Sequence, residues 1–267
     1  MKSKPIKIWS NGRIVYYAGK ADKEFWDTLW ASQISSEYYT KYETGQLDEY
    51  FPYFEQYISR NDRILEAGCG TARYVVALLA RGYKNVSGID WGKPTIDKVK
   101  TILPNLPIEV GDATNVTVEN DFYDAYISLG VVEHREAGPE PFLTESFRIM
   151  KPGGIALISV PYVNPLRNLK RKFGCYRNLD VKGFTFYQYA FQKKEFENYL
   201  KEAGFQVLSA HGISGLYGLK EEIKIFAYFI NNIPGGWKVE KLLKKCRFLD
   251  KLGHMILFIC KKGGSED

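Results

Sequence analysis

Between residues 63 and 160 the apolar positions follow two rhythms, short apolar runs and longer amphipathic stretches. The short runs predict strands at Arg63–Ala67, Asn85–Asp90, Pro107–Val110, Phe122–Leu129 and Ile155–Val160. The amphipathic stretches predict helices at Thr71–Arg81, Lys93–Leu103 and Glu140–Met150. In the first helix Val75, Val76, Leu78 and Leu79 face the sheet, and Gly82 closes it. Pro94 fits the first turn of the second. Strands that alternate with helices indicate an α/β fold with a doubly wound, mostly parallel sheet. Such sheets bind ligands at the C-terminal ends of their strands.

The flanks keep a different pattern. Asn11-Gly12 between Ile6–Trp9 and Arg13–Tyr17 predicts a hairpin. From Lys23 to Tyr39 aromatic residues recur, and Trp26 and Trp30 share a helix face. That helix reads either as a lid over a ligand or as a helix packed on the core. Leu47–Ile58 is a further helix, kinked at Pro52 or beginning near it. Residues 161–189 break the rhythm and read as a long loop beside the ligand edge. Lys193–Ala203 returns as a helix, Phe205–Ser209 as a strand and His254–Cys260 as the closing strand. Between them, residues 216–252 hold two amphipathic stripes separated by Pro234-Gly235-Gly236. The organisation expected is a hairpin and helical cap over 1–59, one α/β domain over 60–262 with inserts 161–190 and 216–252, and a polar tail at 263–267.

Composition narrows the classes. No run of apolar residues is long enough to span a membrane, and the basic N-terminus lacks the apolar stretch of a secretory signal. Cys69, Cys175, Cys246 and Cys260 have no CxxC or Cys–His spacing, which argues against structural zinc and a disulfide framework. A cytoplasmic protein with reduced thiols is expected. Charge divides the chain: residues 1–160 carry a net −3 and residues 161–262 a net +11. The basic part is either a solvated surface or a face for an anionic partner, whether substrate, nucleic acid or membrane. The second insert, with lysines beside an apolar stripe, reads as a helix packed on its own protein or in peripheral contact with an anionic membrane.

The chain is organised around Ile64-Leu65-Glu66-Ala67-Gly68-Cys69-Gly70-Thr71-Ala72-Arg73, a strand, a tight turn and a helix start. Glycines there let a ligand approach the backbone with no Cβ in the way. A dinucleotide fingerprint would need a third glycine where Arg73 stands. Two further acids end successive strands. Asp90 reads as a ribose ligand or a helix cap, and Asp112 as a ligand or a turn residue.

Leu65–Thr71 resembles the first motif of the class I S-adenosylmethionine (SAM)-dependent methyltransferases, and the continuation Val160-Pro161-Tyr162-Val163-Asn164-Pro165 resembles that of bacterial members in their small-molecule and glycan branch. Tyr123–His134 looks like the family's fourth motif with its loop, and Arg148–Gly154 like its signature after the fourth helix. The resemblance implies a seven-stranded sheet whose last strand is antiparallel, and SAM as cofactor. It implies that Asp90 binds the ribose and Asp112 the adenine. For such a ligand, the Gly68-Cys69-Gly70 turn would offer backbone donors to the carboxylate, and Glu66 would accept from the ammonium. Trp91 would stack on adenine, the Ala113 N–H would serve a ring nitrogen, and Leu129 would close the site at the fourth strand. His134 is the candidate general base, since imidazole titrates near neutrality. His211 is a weaker candidate, and His254 reads as structural. No metal is expected.

The expected acceptor is small or glycan-like, anionic in one reading, and methylated at oxygen. An Asn/Asp-Pro-Pro-Tyr stretch is absent after the fourth strand, where Ser128–Val131 stands, which counts against nucleobase amino-methylation. RNA methylation at another atom, or a non-catalytic binding module built on the basic inserts, are the alternatives.

Overall fold

The computed structural model describes residues 5–18, 23–176, 179–243 and 246–263. The basic residues 1–4, Arg177, Lys244, Lys245 and the tail residues 264–267, all weighed above, lie outside them. A hairpin opens the chain with β1 (Ile6–Ser10) and β2 (Arg13–Ala18), followed by α1 (Lys23–Ala31), α2 (Ser36–Glu43) and α3 (Phe51–Tyr57). The alternating region runs β3 (Arg63–Ala67), α4 (Arg73–Ala80), β4 (Asn85–Asp90), α5 (Lys93–Ile102), β5 (Ile108–Val110), β6 (Tyr123–Leu129), α6 (Glu140–Ile149) and β7 (Met150–Pro161). Then come α7 (Pro165–Lys172), β8 (Thr185–Ala190), α8 (Lys193–Glu202) and β9 (Phe205–Ile213). The chain closes with α9 (Gly215–Glu222), α10 (Lys224–Asn232), α11 (Gly236–Leu243), a 3-10 turn at Arg247–Leu252 and β10 (Met255–Lys262).

Seven strands form one sheet in the order β5-β4-β3-β6-β7-β10-β9. β3 to β7 pair in parallel, and β10 runs antiparallel to both β7 and β9. Alternation along each strand assigns side chains to opposite faces. Ile64, Ala125 and Leu257 join one buried cluster with Tyr39, Phe54, Val75 and Ile96 of the helices. Their chain neighbours Leu65, Tyr126 and Phe258 join the other, with Leu143 of α6 and Phe196 of α8. Helices thus cover both faces, as the doubly wound reading requires.

The structure departs from the sequence reading in four places. The aromatic segment from Lys23 is two helices: Ser35 caps α2 by accepting from the Tyr38 N–H, and ends the continuity. Of the two readings at Pro52, the second holds: the helix begins there, as α3. Lys151–Gly154, which precede the strand expected at Ile155–Val160, lie inside β7. Met150 pairs with Tyr123 and Ile155 with Ala125, so the four residues bulge from the ladder. Residues 161–189 are no loop. They hold α7 and β8, and β8 pairs with β2, so that β1, β2 and β8 form a second small sheet. The second insert forms three helices and a 3-10 turn, since its first stripe breaks at Ile223 between α9 and α10. Among the described residues, no helix is long and apolar enough to cross a membrane.

Candidate functional site

A cavity of about 410 Å³ opens at the C-terminal ends of β3, β4, β5 and β6. Gly68, Asp90, Trp91, Asp112, Ala113 and His134 all line it, so six residues singled out in the sequence meet there. Trp26 and Trp30 of α1 form part of its wall, which places that helix over the strand ends.

Each strand end has its own local reason. Gly68 has φ +77, and a Cβ there would collide with the Val131 side chain. Gly70 also has positive φ, and a Cβ on it would reach within 3.5 Å of Trp30. Asp90 Oδ2 accepts from the Gly70 N–H at 2.9 Å and Oδ1 from the Gly92 N–H at 2.8 Å. Its carboxylate is thereby held in one orientation and ties the glycine turn to the end of β4. Trp91, the next residue, is 54% exposed at the cavity wall. Asp112 Oδ1 accepts from the Thr114 N–H and hydroxyl, both at 2.8 Å, which fixes the turn after β5. α2 secures the turn after β3: the Tyr38 hydroxyl meets Thr71 Oγ1 at 2.9 Å, and the Tyr39 hydroxyl donates to the Thr71 carbonyl at 2.8 Å.

Four of the singled-out residues stand off the cavity. Leu129 packs against the helix-covered cluster at the other side of the sheet end, and Gly130 and Val131 line the cavity in its place. Glu66 is buried beneath the turn, where it accepts from the Val75 N–H at 3.2 Å, and burial pushes its carboxyl up to about 8. Cys69 is buried against Gly88 and Val75, and burial raises its thiol. The N–H groups of Gly68 and Cys69 both donate to the Ile89 carbonyl, at 2.8 and 2.9 Å, and that of Gly70 to Asp90. The turn therefore contributes a surface without Cβ atoms, and its three amides are spent on β4 rather than offered to a ligand.

His134 follows β6 in a short 3-10 turn. Its ring packs edge-on against Trp26 with centroids 4.6 Å apart, and Tyr187 stacks on Trp26 at 5.6 Å. His134 Nδ1 lies 2.8 Å from the Tyr187 carbonyl. A carbonyl only accepts, so Nδ1 carries the hydrogen and Nε2 the lone pair. Burial pushes the imidazole down to about 4, against the pull of that carbonyl. At neutral pH it is uncharged.

Sequence reasoning did not single out Glu133. It is 2% exposed, its Oε2 is buried with no hydrogen-bond partner, and Oε1 lies 3.8 Å from His134 Nε2. Burial pushes its carboxyl up to about 8. The only signal in the chain was its place beside His134. His211 stacks on Tyr53 and contacts Ser209, away from the cavity lining. His254 pairs with Glu221 at 2.6 Å, in a structural network.

The cavity fits SAM by shape and chemistry: a Cβ-free turn, an oriented carboxylate at the next strand end, an exposed indole beside it and an acid after the third strand. Comparison with known proteins agrees. A family model described as a methyltransferase domain matches residues 39–210. The chain is 28% identical over 158 residues to a Mycolicibacterium smegmatis protein named as an S-adenosylmethionine-dependent methyltransferase, covering 59% of this chain and 57% of that one. It is 30% identical over 116 residues to EEF1A lysine methyltransferase 2 of Danio rerio, covering 39% of this chain and 50% of that one. The chain thus spans about half the length of these curated relatives. In fold it is similar to the methyltransferase solved with the Haloferax volcanii Trm112 activator, with a TM-score of 0.58, 17% identity, and coverage of 92% of this chain and 99% of that one.

Proposed function

The chain belongs to the class I SAM-dependent methyltransferase family, and on that premise we propose that it methylates a hydroxyl of a small-molecule or glycan-like acceptor. Bound SAM supplies a methyl group already activated by a sulfonium. The chain's own tasks are then to hold, align and dry the reactants. Asp90, fixed by the Gly70 and Gly92 amides, is the ligand for the ribose diol. Trp91 offers its exposed face to the adenine, and Asp112 and Ala113 stand where the adenine edge would lie. Trp26, Trp30 and Phe142 wall the cavity with apolar surface that excludes water.

The observation that supports an acceptor with a proton to lose, a hydroxyl or a protonated amine, is the tautomer of His134. With Nδ1–H committed to the Tyr187 carbonyl, Nε2 is a neutral lone pair in an aromatic wall. An acceptor that must shed a proton needs such a group. A proton taken at Nε2 makes an imidazolium 3.8 Å from Glu133 Oε1; burial pushes that carboxyl up to about 8, so it is mostly neutral at pH 7 and supports the cation more as pH rises toward 8. Relatives do not choose the acceptor for this chain, since one is named for a protein lysine.

The test measures S-adenosylhomocysteine release with panels of hydroxylated quinols and glycosides, amines, and RNA. Turnover is expected with hydroxyl acceptors and should fall about 10²–10⁴-fold in His134→Ala. Turnover on amines or RNA alone would overturn the reading.

A further inference from the structure

The second insert presents apolar side chains that stand exposed among the described residues. Ile225, Tyr228 and Phe229 of α10, Trp237 and Leu242 of α11, and Phe248 in the 3-10 turn are each more than half exposed. Isolated exposed apolar residues are ordinary, but a concentration of this size within 24 residues is not.

Charge decides what such a surface meets. Residues 223–252 hold seven basic residues against two acids, Glu240 and Asp250. Glu240 is paired with Lys220 at 3.1 Å. The acids just before it in the chain, Glu221 and Glu222, turn inward to Arg167, Lys170 and Lys7. Most of the insert's negative charge is thus paired within the protein, with Asp250 exposed, while Lys224, Lys238 and Lys241 stand in solvent. Lys238 Nζ sits over the Trp237 ring at 5.5 Å, and Lys251 Nζ over Phe248 at 5.5 Å. Aromatic rings interleaved with lysines on short helices match the depth profile of a lipid interface, where rings sit at headgroup level and ammonium groups reach the phosphates.

We propose that α10, α11 and the following 3-10 turn dock the chain on the surface of an anionic lipid bilayer. The helices lie on the surface and do not span it. The buried Arg167 pairs with Glu221 and Glu222 and holds α9, the helix that leads into α10, to the body of the fold. The proposal stands apart from the methyl-transfer reading, because its readout is lipid partition.

The test is co-sedimentation of the full chain with vesicles of phosphatidylcholine alone and of phosphatidylcholine with about 30 mol % phosphatidylglycerol, at low and high salt. Partition is expected into the anionic vesicles, weakened by salt. Lys238→Gln with Lys241→Gln should lower it on the order of twentyfold, about fivefold for each lysine. Trp237→Ser with Leu242→Ser should lower binding with melting temperature unchanged. Absence of partition into anionic vesicles, or partition indifferent to both double variants, would overturn the proposal. So would light scattering that shows these apolar substitutions splitting a dimer of a chain that ignores lipid.

Discussion

Arg167 Nε lies 3.0 Å from Glu222 Oε1, and neither side chain has more than 1% of its surface exposed. The same guanidinium reaches Glu221 at 2.6 Å and the Tyr162 carbonyl at 2.7 Å, while Lys170 meets Glu222 at 2.7 Å and Lys7 meets Glu221 at 2.8 Å. One buried cation thus joins the hairpin, both inserts and the end of β7. Removing one partner of a buried pair leaves the other charge uncompensated. Arg167→Ala is expected to cost about 3–5 kcal/mol, read from the urea midpoint. A cost under ~1 kcal/mol, that of an exposed pair, would refute this role.

Acid should loosen the same network. Burial alone would raise Glu221 and Glu222, yet His254, Arg167, Lys170 and Lys7 hold both carboxyls well below the usual range. Groups depressed in the folded state contribute stability above their unfolded pKa, and it is lost as pH falls through the folded value. Glu222→Gln should therefore flatten the decline in melting temperature below about pH 4.5.

Glu66 and Glu133 act with the opposite sign. Both are pushed up by burial, from 4.5 to about 8. Their contribution is full below about 4.5 and is lost as pH rises toward about 8. His134, pushed down by burial from 6.5 to about 4, contributes above 6.5 and loses its share as pH falls toward 4. Between pH 6.5 and 8 the two carboxyls therefore act alone among these three. Melting temperature should fall with rising pH there, and Glu133→Gln should reduce that slope. An unchanged slope would mean that Glu133 is ionised in the folded chain at neutral pH.

Trp91 separates cofactor binding from folding. Its indole is 54% exposed, so Trp91→Ala should leave the melting temperature of the free protein within a degree or two. Loss of a base–aromatic stack costs about 1–3 kcal/mol, roughly 5–150-fold in SAM affinity. Equal affinities in the two proteins would remove Trp91 from the site.

The alternating region was legible because each of its elements is a local pattern. Ile64 and Leu65, or Ala125 and Tyr126, announce their two faces by spacing alone, and Asp90 and Asp112 by their place at strand ends. What stayed hidden depends on partners far along the chain. β8 looked like loop because its neighbour is β2, with Tyr189 opposite Val15. Arg167 belonged to a basic stretch read as solvated surface or as a face for an anionic partner, because Glu221 and Glu222 lie more than 50 residues on. The amides of the glycine turn read as ligand donors because the Ile89 carbonyl that takes two of them belongs to the next strand. Glu133 sits in plain view beside His134, but its burial is a tertiary fact.

The central claim is that SAM binds at the strand ends through Asp90. Calorimetric titration of SAM into the wild type and Asp90→Asn tests it most directly. The wild type should bind one SAM per chain. Asp90→Asn should bind roughly 10–150-fold more weakly, since hydrogen bonds to a charged group contribute about 1.5–3 kcal/mol. At SAM concentrations near 100 times its dissociation constant, the wild type should also gain about 2.7 kcal/mol of stability. No binding heat in the wild type, or undiminished affinity in Asp90→Asn, would contradict the account.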